Sequence, residues 1–225
     1  MRPLAIIPAR VGSKGIPNKN WRPLVGVTPV DRAIRAARGA GCNVLVTTDH
    51  PESGEWIGAD LVRQTPLHGD RTAMIDIIKD VLAVTSEDYI LLVQPTQPLR
   101  RTEHLIEAIC LLTTTDPRPD SVVSLVQVPV KYHPLWQLST HLRGNQRIFR
   151  KCLGSGDFTT HRQLLEAEPT YIRDGTVYAF WRKTVEVYGN IYGKTGIPLI
   201  IPPNETCALD TPEDWAEAEA RLLAV

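Results

Sequence analysis

The residues with the clearest chemical character lie in a loop near the start of the chain. An apolar run of strand length, Leu4–Ile7, leads directly into residues 8–20. This loop contains two glycines and three cationic side chains, namely Gly12, Gly15, Arg10, Lys14 and Lys19. Glycine lets backbone N–H groups converge on one point, and lysine and arginine add full positive charge there. The pattern predicts a site for a polyanion such as a nucleotide triphosphate, the alternative being a solvated basic turn.

The spacing in this loop differs from the common phosphate-binding motifs. Neither Gly-x-x-x-x-Gly-Lys-Ser/Thr nor Gly-x-Gly-x-x-Gly is present. Residues 7–20 instead resemble the signature of the cytidylyltransferases that activate sialic acid and related acidic sugars, Ile-Pro-Ala-Arg-x-Gly-Ser-Lys-Gly-Ile-Pro-x-Lys-Asn. The resemblance implies that phosphates are held by Arg10, Lys14 and Lys19. It also implies that the nucleotide site includes Ala9, Gly12, Ser13 and Asn20.

Length, charge and cysteine usage limit the class of protein. The 225 residues suffice for one α/β domain, and we treat residues 1–225 as a single domain. Lysine plus arginine and aspartate plus glutamate both number 25, which argues against nucleic-acid and membrane-surface partners. The four cysteines show no Cys-x-x-Cys pairing, as is typical of a reducing compartment. With no signal sequence and no apolar run of about 18 residues, we expect a cytoplasmic enzyme.

Apolar runs alternate with helical patterns along the chain. We predict strands at Leu4–Ile7, Asn43–Thr47, Asp60–Val62, Tyr89–Val93, Ser121–Val128, Thr176–Phe180 and Pro198–Ile201. We predict helices at Val30–Arg38, Glu52–Ile57, Ala73–Val84, His104–Leu112 and Glu213–Leu223, with N-caps at Thr28, Thr72, Thr102 and Thr211. These strands do not alternate apolar with polar residues, and helices separate them. This pattern indicates a Rossmann-like, mostly parallel sheet with helices on both faces. Residues 129–170 break the pattern with prolines and glycines and are interpreted as an inserted lobe or extended hairpin.

Further segments extend the resemblance. Thr47-Thr48-Asp49 matches the family's Ser/Thr-Thr-Asp, and Arg63 matches the arginine of a later Arg-Pro segment. The resemblance assigns Asp49 and Arg63 to the nucleotide site, although Asp49 could equally be a turn residue at a strand end. Residues 91–100 resemble Leu-Gln-Pro-Thr-Ser-Pro-Leu-Arg, with Gln97 in place of serine. Gln94 is therefore expected to contact the sugar, since its amide both donates and accepts hydrogen bonds.

An acidic sugar needs a cationic side chain to bind its carboxylate, and the candidates lie in residues 161–178. Residues 161–178 resemble the family's Arg-Gln…Pro…Tyr…Asn-Gly-Ala-Ile-Tyr, with Asp174 where asparagine is usual. We assign Arg162, Arg173 and Asp174 to substrate binding, with either arginine pairing with a carboxylate. The Asp174 replacement puts an anion near the acidic sugar. His133 is interpreted mainly as a structural residue.

The metal site departs most from the family. The sialate enzymes carry Asp-x-Asp-Thr-Pro-Glu-Asp, whose two leading carboxylates bind magnesium, whereas this chain has Ala208 at the first position and keeps Asp210. One or two carboxylates with phosphates and water are enough for Mg²⁺. We therefore predict Mg²⁺ as the cofactor, held at Asp210 by a weaker or differently built site.

Together these features favour a cytidylyltransferase that uses CTP and an acidic, sialic-acid-like sugar. In such an enzyme a sugar hydroxyl attacks the α-phosphate, and pyrophosphate leaves. Catalysis would rest on positioning and charge neutralisation by Arg10, Lys14, Lys19 and Asp210. The alternatives are transfer to a ketodeoxyoctonate-like acid or a phosphonate, or a nucleotide-binding protein with impaired turnover. The family resemblance also implies a homodimer formed through the inserted lobe.

Overall fold

Strands and helices alternate through most of the chain. The computed structural model describes residues 2–50, 59–65, 69, 72–153 and 161–224. The described strands are β1 (Leu4–Pro8), β2 (Asn43–Thr48), β3 (Leu61–Gln64), β4 (Tyr89–Leu92), β5 (Ser121–Gln127), β6 (Leu138–Arg143), β7 (Gln146–Lys151), β8 (Tyr171–Trp181) and β9 (Gly196–Ile200). The described α-helices are α1 (Pro29–Gly39), α2 (Met74–Leu82), α3 (Thr102–Thr114), α4 (Arg162–Ala167), α5 (Arg182–Tyr188) and α6 (Pro212–Leu223). Short 3₁₀ turns cover Val130–Tyr132, Pro134–Trp136 and Pro203–Glu205.

Seven strands form one mostly parallel sheet in the order β3-β2-β1-β4-β8-β5-β9. β1 pairs in parallel with β2 and β4, β2 with β3, and β5 with β9. β8 runs antiparallel between β4 and β5. The predicted Rossmann-like fold class is thus confirmed. The direction of β8 was not predicted, because an apolar run indicates a strand without indicating its orientation.

Helices cover both faces of this sheet. Ala5 and Ile7 of β1 belong to a core cluster that includes apolar residues of α1 and α3. Leu4 and Ile6 belong to a second cluster on the other face, with residues of α2 and α5. Neighbouring side chains of a strand point to opposite faces, so a continuous apolar run is what a sheet buried on both faces requires. A third cluster joins Ile16 of the first loop to the C-terminal helix α6.

Two of the four predicted helix caps are confirmed. Thr28 accepts a hydrogen bond from Asp31 N, and Thr211 forms a capping box with Asp214. The caps predicted at Thr72 and Thr102 are wrong. α2 begins after Ala73 without a side-chain cap, and α3 begins after Arg101, whose N–H is accepted by the His104 ring. The predicted helix at residues 52–57 lies outside the described residues.

The segment between β5 and β8 forms a separate hairpin. β6 and β7 make an antiparallel pair outside the main sheet. At the base of this segment, Val128 N donates to Thr170 O at 2.8 Å. His133 is buried, accepts a hydrogen bond from Leu135 N and donates to Glu168 O, both at 3.3 Å, which agrees with its structural interpretation. In the described residues no helix is long and apolar enough to cross a membrane.

Candidate active site

A cavity of about 290 Å³ opens where β1 and β4 end. Parallel α/β sheets place their ligands at this carboxyl edge. The first loop and the segment after β4 both contribute to its lining. The described lining residues are Pro8, Arg10, Ser13, Lys19, Asn20, Gly69, Thr72, Met74, Ile77, Gln94, Pro95 and Thr96. Five of the predicted site residues therefore share one cavity.

The first loop is fixed by residues at the end of β2. The Asp49 carboxylate accepts a hydrogen bond from Val11 N at 2.7 Å. Thr48 Oγ1 donates to Ala9 O at 2.6 Å, and Ala9 N donates to Thr47 O at 2.9 Å. The backbone groups of Ala9 are thus used within the sheet, and its side chain is fully buried. Asp49 acts here as a loop anchor, so it and Ala9 support the first loop without lining the cavity.

Two buried polar atoms of the loop have no partner among the described residues. Ser13 is 9% exposed and Asn20 5% exposed, and neither Ser13 Oγ nor Asn20 Oδ1 makes a hydrogen bond there. The amide nitrogen of Asn20 donates to Arg10 O at 3.1 Å, which fixes the orientation of its side chain. A buried polar atom left unpaired costs roughly 1–3 kcal/mol. Since both residues line the cavity, a polar ligand is the natural partner for these atoms.

Lys19 connects the loop to the segment before α6. Its Nζ lies 2.6 Å from Leu209 O and 3.1 Å from Asp210 Oδ1. The Lys19 side chain is 17% exposed and that of Asp210 is 74% exposed. Gly15 approaches so closely that a Cβ atom there would lie 2.2 Å from Asp210 O. Only glycine at position 15 therefore allows the first loop to approach the Asp210 backbone this closely.

The metal-ligating potential of this region rests on Asp210. Among the described residues no group of three or more His, Cys, Asp or Glu side chains could hold a metal ion. The nearby Asp214 carboxylate already accepts hydrogen bonds from Asp210 N at 3.1 Å and Thr211 N at 2.7 Å. Ala208 is exposed. A single exposed carboxylate suits a magnesium ion that is also bound by a triphosphate. It does not suit a magnesium ion enclosed by protein ligands alone.

The wall formed by Gln94 is supported by a buried arginine. Arg100 is 8% exposed and donates to the carbonyl oxygens of Gln94, Gly175 and Thr176. Burial lowers the pKa of its guanidinium to about 9, and the Asp174 charge opposes that shift. Gly175 has a φ of +81°, and a Cβ atom there would lie 2.7 Å from Gln94 Oε1. This packing presses the Gln94 side chain against β8 at the edge of the cavity.

Nine of the fourteen predicted site residues are not among the described lining residues, and four of these, Arg63, Arg162, Arg173 and Asp174, lie in elements away from the first loop. Arg63 donates from Nε and from a terminal nitrogen to Asp80 of α2, at 2.5 and 2.7 Å, an arrangement that weighs against base contact. The other three lie near the hairpin segment or in β8. Arg162 pairs with Glu166 at 2.8 Å, Arg173 hydrogen-bonds Tyr192 and stacks on its ring, and Asp174 accepts from Thr176 N at 3.2 Å. Their roles remain predictions.

Other lining residues were not predicted. Met74 and Ile77 reach the cavity from the first turn of α2, where an apolar helical pattern signals core packing alone. Thr96 follows Gln94, and its carbonyl oxygen accepts a hydrogen bond from Leu209 N at 2.9 Å. The motif at residues 91–100 contained this signal, because Gln94, two residues before Thr96, was already expected to contact the sugar. Lys14 and Gly12 are exposed on the loop outside the described lining, and Gly12 has a φ of +82°.

Comparison with known proteins decides the family of the chain. The sequence model of the cytidylyltransferase family matches residues 4–188. The chain belongs to the cytidylyltransferase family. As a member, it is a nucleotidyltransferase. It is 31% identical to the CMP-N,N'-diacetyllegionaminic acid synthase of Legionella pneumophila, over 97% of this chain and 95% of that protein. It is 39% identical to the N-acylneuraminate cytidylyltransferase of Escherichia coli over 120 residues, 50% of this chain but only 29% of that protein.

Solved structures support the same fold. A CMP:2-keto-3-deoxy-manno-octonic acid synthetase in complex with CTP superposes with a TM-score of 0.73 at 17% identity, covering 100% of this chain and 99% of its own. A 4-diphosphocytidyl-2C-methyl-D-erythritol synthase from Anaerococcus prevotii has a TM-score of 0.63 at 14% identity, covering 99% and 98%. At these identities the similarity establishes the cytidylyltransferase fold alone.

Proposed function

We propose that this cytidylyltransferase uses CTP to attach CMP to a nonulosonic acid, with release of pyrophosphate. One observation carries the proposal: Ser13 Oγ and Asn20 Oδ1 are buried and unpaired among the described residues. They face the same cavity as Arg10 and Lys19. A nucleotide offers both hydrogen-bonding groups for these oxygens and negative charge for the cations.

In the proposed reaction, a hydroxyl oxygen of the sugar acid forms a bond to the α-phosphorus of CTP. The bond from that phosphorus to the bridging oxygen breaks, pyrophosphate leaves, and the hydroxyl proton passes to solvent. Arg10 lies in the cavity, where its forked donors suit phosphate oxygens. Lys14 and Lys19 add point charges on the same loop. Such fixed cations stabilise charge that develops on the phosphates in the transition state.

We infer that Mg²⁺ is the cofactor, with Asp210 as its protein ligand. When bound, the ion would neutralise triphosphate charge. The exposed Asp210 carboxylate borders the cavity through Lys19, whose Nζ lies 3.1 Å from Asp210 Oδ1. Binding of the ion to Asp210 would weaken the ion pair between Lys19 and Asp210. The Lys19 ammonium would then be available to the phosphates.

The choice of acid rests on the relatives. The Legionella relative, named as a legionaminic acid synthase, aligns over nearly the full length of both chains. A ketodeoxyoctonate-like acid is supported only by a fold match at 17% identity, and none of the relatives named above acts on a phosphonate by its name. A nonulosonate is therefore the favoured acceptor. Arg173, exposed at the start of β8, is our candidate partner for its carboxylate.

We also propose a homodimer formed through the hairpin and a cytoplasmic location. Leu138, Leu142 and Phe149 lie on one face of β6–β7, because Thr140, between the two leucines, is opposite Phe149. Leu142 is 71% exposed and Phe149 60% exposed. The same face carries Arg147 and Lys151 opposite the two leucines, so exposed apolar and cationic side chains are mixed here, and a second copy would cover this surface.

Pyrophosphate release with each of the four NTPs and a panel of acidic sugars tests the proposal. We expect CTP and a nonulosonic acid to be required together. Arg10→Ala should lower kcat/KM about 100-fold or more, since a lost transition-state contact costs roughly 2–4 kcal/mol. Arg22→Ala is the matched control, because Arg22 is exposed and stacks 4.9 Å above Trp215, outside the described lining. Turnover with another NTP, or equal rates in both variants, would refute the assignment.

A further inference from the structure

A second cavity, of about 240 Å³, lies between α1 and the start of α3. Its polar lining consists of Arg32 and Arg35 from α1, Arg100 and Arg101 before α3, and Thr102. Four arginines thus line one small space whose described lining contains no carboxylate.

Two of these arginines have partners elsewhere. Arg101 donates to Glu205 at 2.5 Å, so that pair is balanced. The hydrogen bonds of Arg100 go to backbone carbonyl oxygens of the Gln94 turn and of β8. Carbonyl oxygens satisfy donors but carry no net charge, so Arg100 keeps its positive charge beside the cavity.

The other two arginines are poorly compensated. Arg32 donates to Leu24 O at 2.9 Å, yet its Nε is buried with no acceptor in the described part of the chain. Arg35 is exposed and makes no hydrogen bond or ion pair with the described residues. Arg32 and Arg35 are three residues apart on α1, a spacing at which like charges repel. Burial, and then the charge of Arg35, lower the pKa of Arg32.

We propose that this cavity binds a small tetrahedral oxyanion of the phosphate or pyrophosphate class. Guanidinium groups hold such oxygens in forked pairs, and the Thr102 hydroxyl can donate as well. The anion would accept a hydrogen bond from Arg32 Nε and remove the repulsion between Arg32 and Arg35. The volume suits a small ion with a few waters, each of which occupies about 30 Å³ in the liquid. Arg100 separates this site from the Gln94 wall of the nucleotide cavity.

Calorimetric titration of inorganic phosphate and of pyrophosphate into the full chain tests the proposal. All proteins carry Arg10→Ala, so that binding at the first loop contributes little. We expect one site in this background, and Arg35→Gln should weaken it about tenfold or more. Arg38→Gln is the matched control, since Arg38 lies on the same helix but pairs with Asp60 at 2.7 Å outside the cavity.

Equal affinities in the Arg35→Gln and Arg38→Gln proteins, or binding of neither phosphate nor pyrophosphate by the background protein, would overturn the proposal. Comparison of phosphate with pyrophosphate identifies which ion the cavity prefers. Crystals soaked in tungstate give the location independently. Anomalous density between Arg32 and Arg35 is expected, and density restricted to the first loop would also refute the site.

Discussion

At the residue scale, we expect Ser13 to favour ligand binding over the stability of the unliganded protein. Its buried Oγ lacks a partner in the described structure, so Ser13→Ala should leave the free energy of unfolding unchanged or raise it. The same change should weaken CTP binding about three- to tenfold through a lost hydrogen bond. Thermal unfolding and calorimetry with CTP measure the two effects.

Ser124→Ala provides the opposite behaviour as a control. Ser124 is buried, but its Oγ accepts a hydrogen bond from Val177 N at 2.9 Å. The variant should therefore lose about 1 kcal/mol of stability and keep its CTP affinity. A Ser13→Ala protein that resembles Ser124→Ala would show that Ser13 is structural.

Ala208 offers a second residue-scale test. Ala208→Asp should tighten Mg²⁺ binding in the absence of nucleotide, because a second carboxylate would stand two residues from Asp210. Position 208 is exposed, so the new side chain fits without repacking. Calorimetric titration with MgCl₂ measures this, and the rate should rise at low magnesium but change little at saturation, since the added charge also repels the triphosphate.

The matched control for Ala208→Asp is Asn204→Asp. It adds the same charge at another exposed position in the same segment. If both variants bind Mg²⁺ equally well, the gain is a general charge effect. The alignment of residues 208–214 with the sialate enzymes would then be misleading.

At the scale of elements, Glu205 ties the start of α3 to the turn before the Asp210 segment. The hydrogen bond from His104 at 2.8 Å, together with Arg101, lowers the pKa of Glu205 below its ordinary value of 4.5. A depressed folded-state pKa gives stability that is complete above the unfolded pKa and disappears as the pH falls through the folded pKa. Glu205→Gln should cost about 1 kcal/mol at pH 7, with a difference from wild type that vanishes well below pH 4.5.

Urea unfolding of both proteins from pH 7 down to the acid transition measures this difference. Glu107→Gln, on the exposed side of α3, serves as the control and should follow the wild-type curve. A Glu205→Gln deficit that persists unchanged into acid would mean that the contact acts through packing and not through charge.

Some local features of the fold could be predicted from the sequence, and others could not. The loop after β1 was predictable because glycines, cations and a preceding buried strand all occur within seventeen residues, from Leu4 to Asn20. The caps at Thr28 and Thr211 were predictable because each is followed by a proline. The pairing of Arg63 with Asp80 was not, since it joins a strand and a helix seventeen residues apart. The cap of α3 by a histidine ring likewise has no common sequence signature.

At the scale of the whole molecule, the hairpin β6–β7 should control assembly. Phe149→Glu replaces the exposed aromatic ring on the face that also holds Leu138 and Leu142 with a charge, and should convert the proposed dimer to a monomer. Val187→Glu is the control, because Val187 is 58% exposed on α5, in a different element. Sedimentation velocity at several concentrations measures the mass. A monomeric wild type, or a Phe149→Glu dimer of unchanged affinity, would contradict the assignment.

The base of the hairpin segment has a consequence for how this chain can be cut and rejoined. β5 and β8 are antiparallel neighbours, and the hydrogen bond from Val128 N to Thr170 O continues their ladder to the point where the segment leaves. The segment between Val128 and Thr170 thus connects the two strands at the position where a β-turn would otherwise join them. A two-residue Asn-Gly link between positions 128 and 170 would meet the geometry of such a turn. We therefore expect that the segment between Val128 and Thr170 can be lengthened, exchanged or deleted while β5 and β8 keep their register.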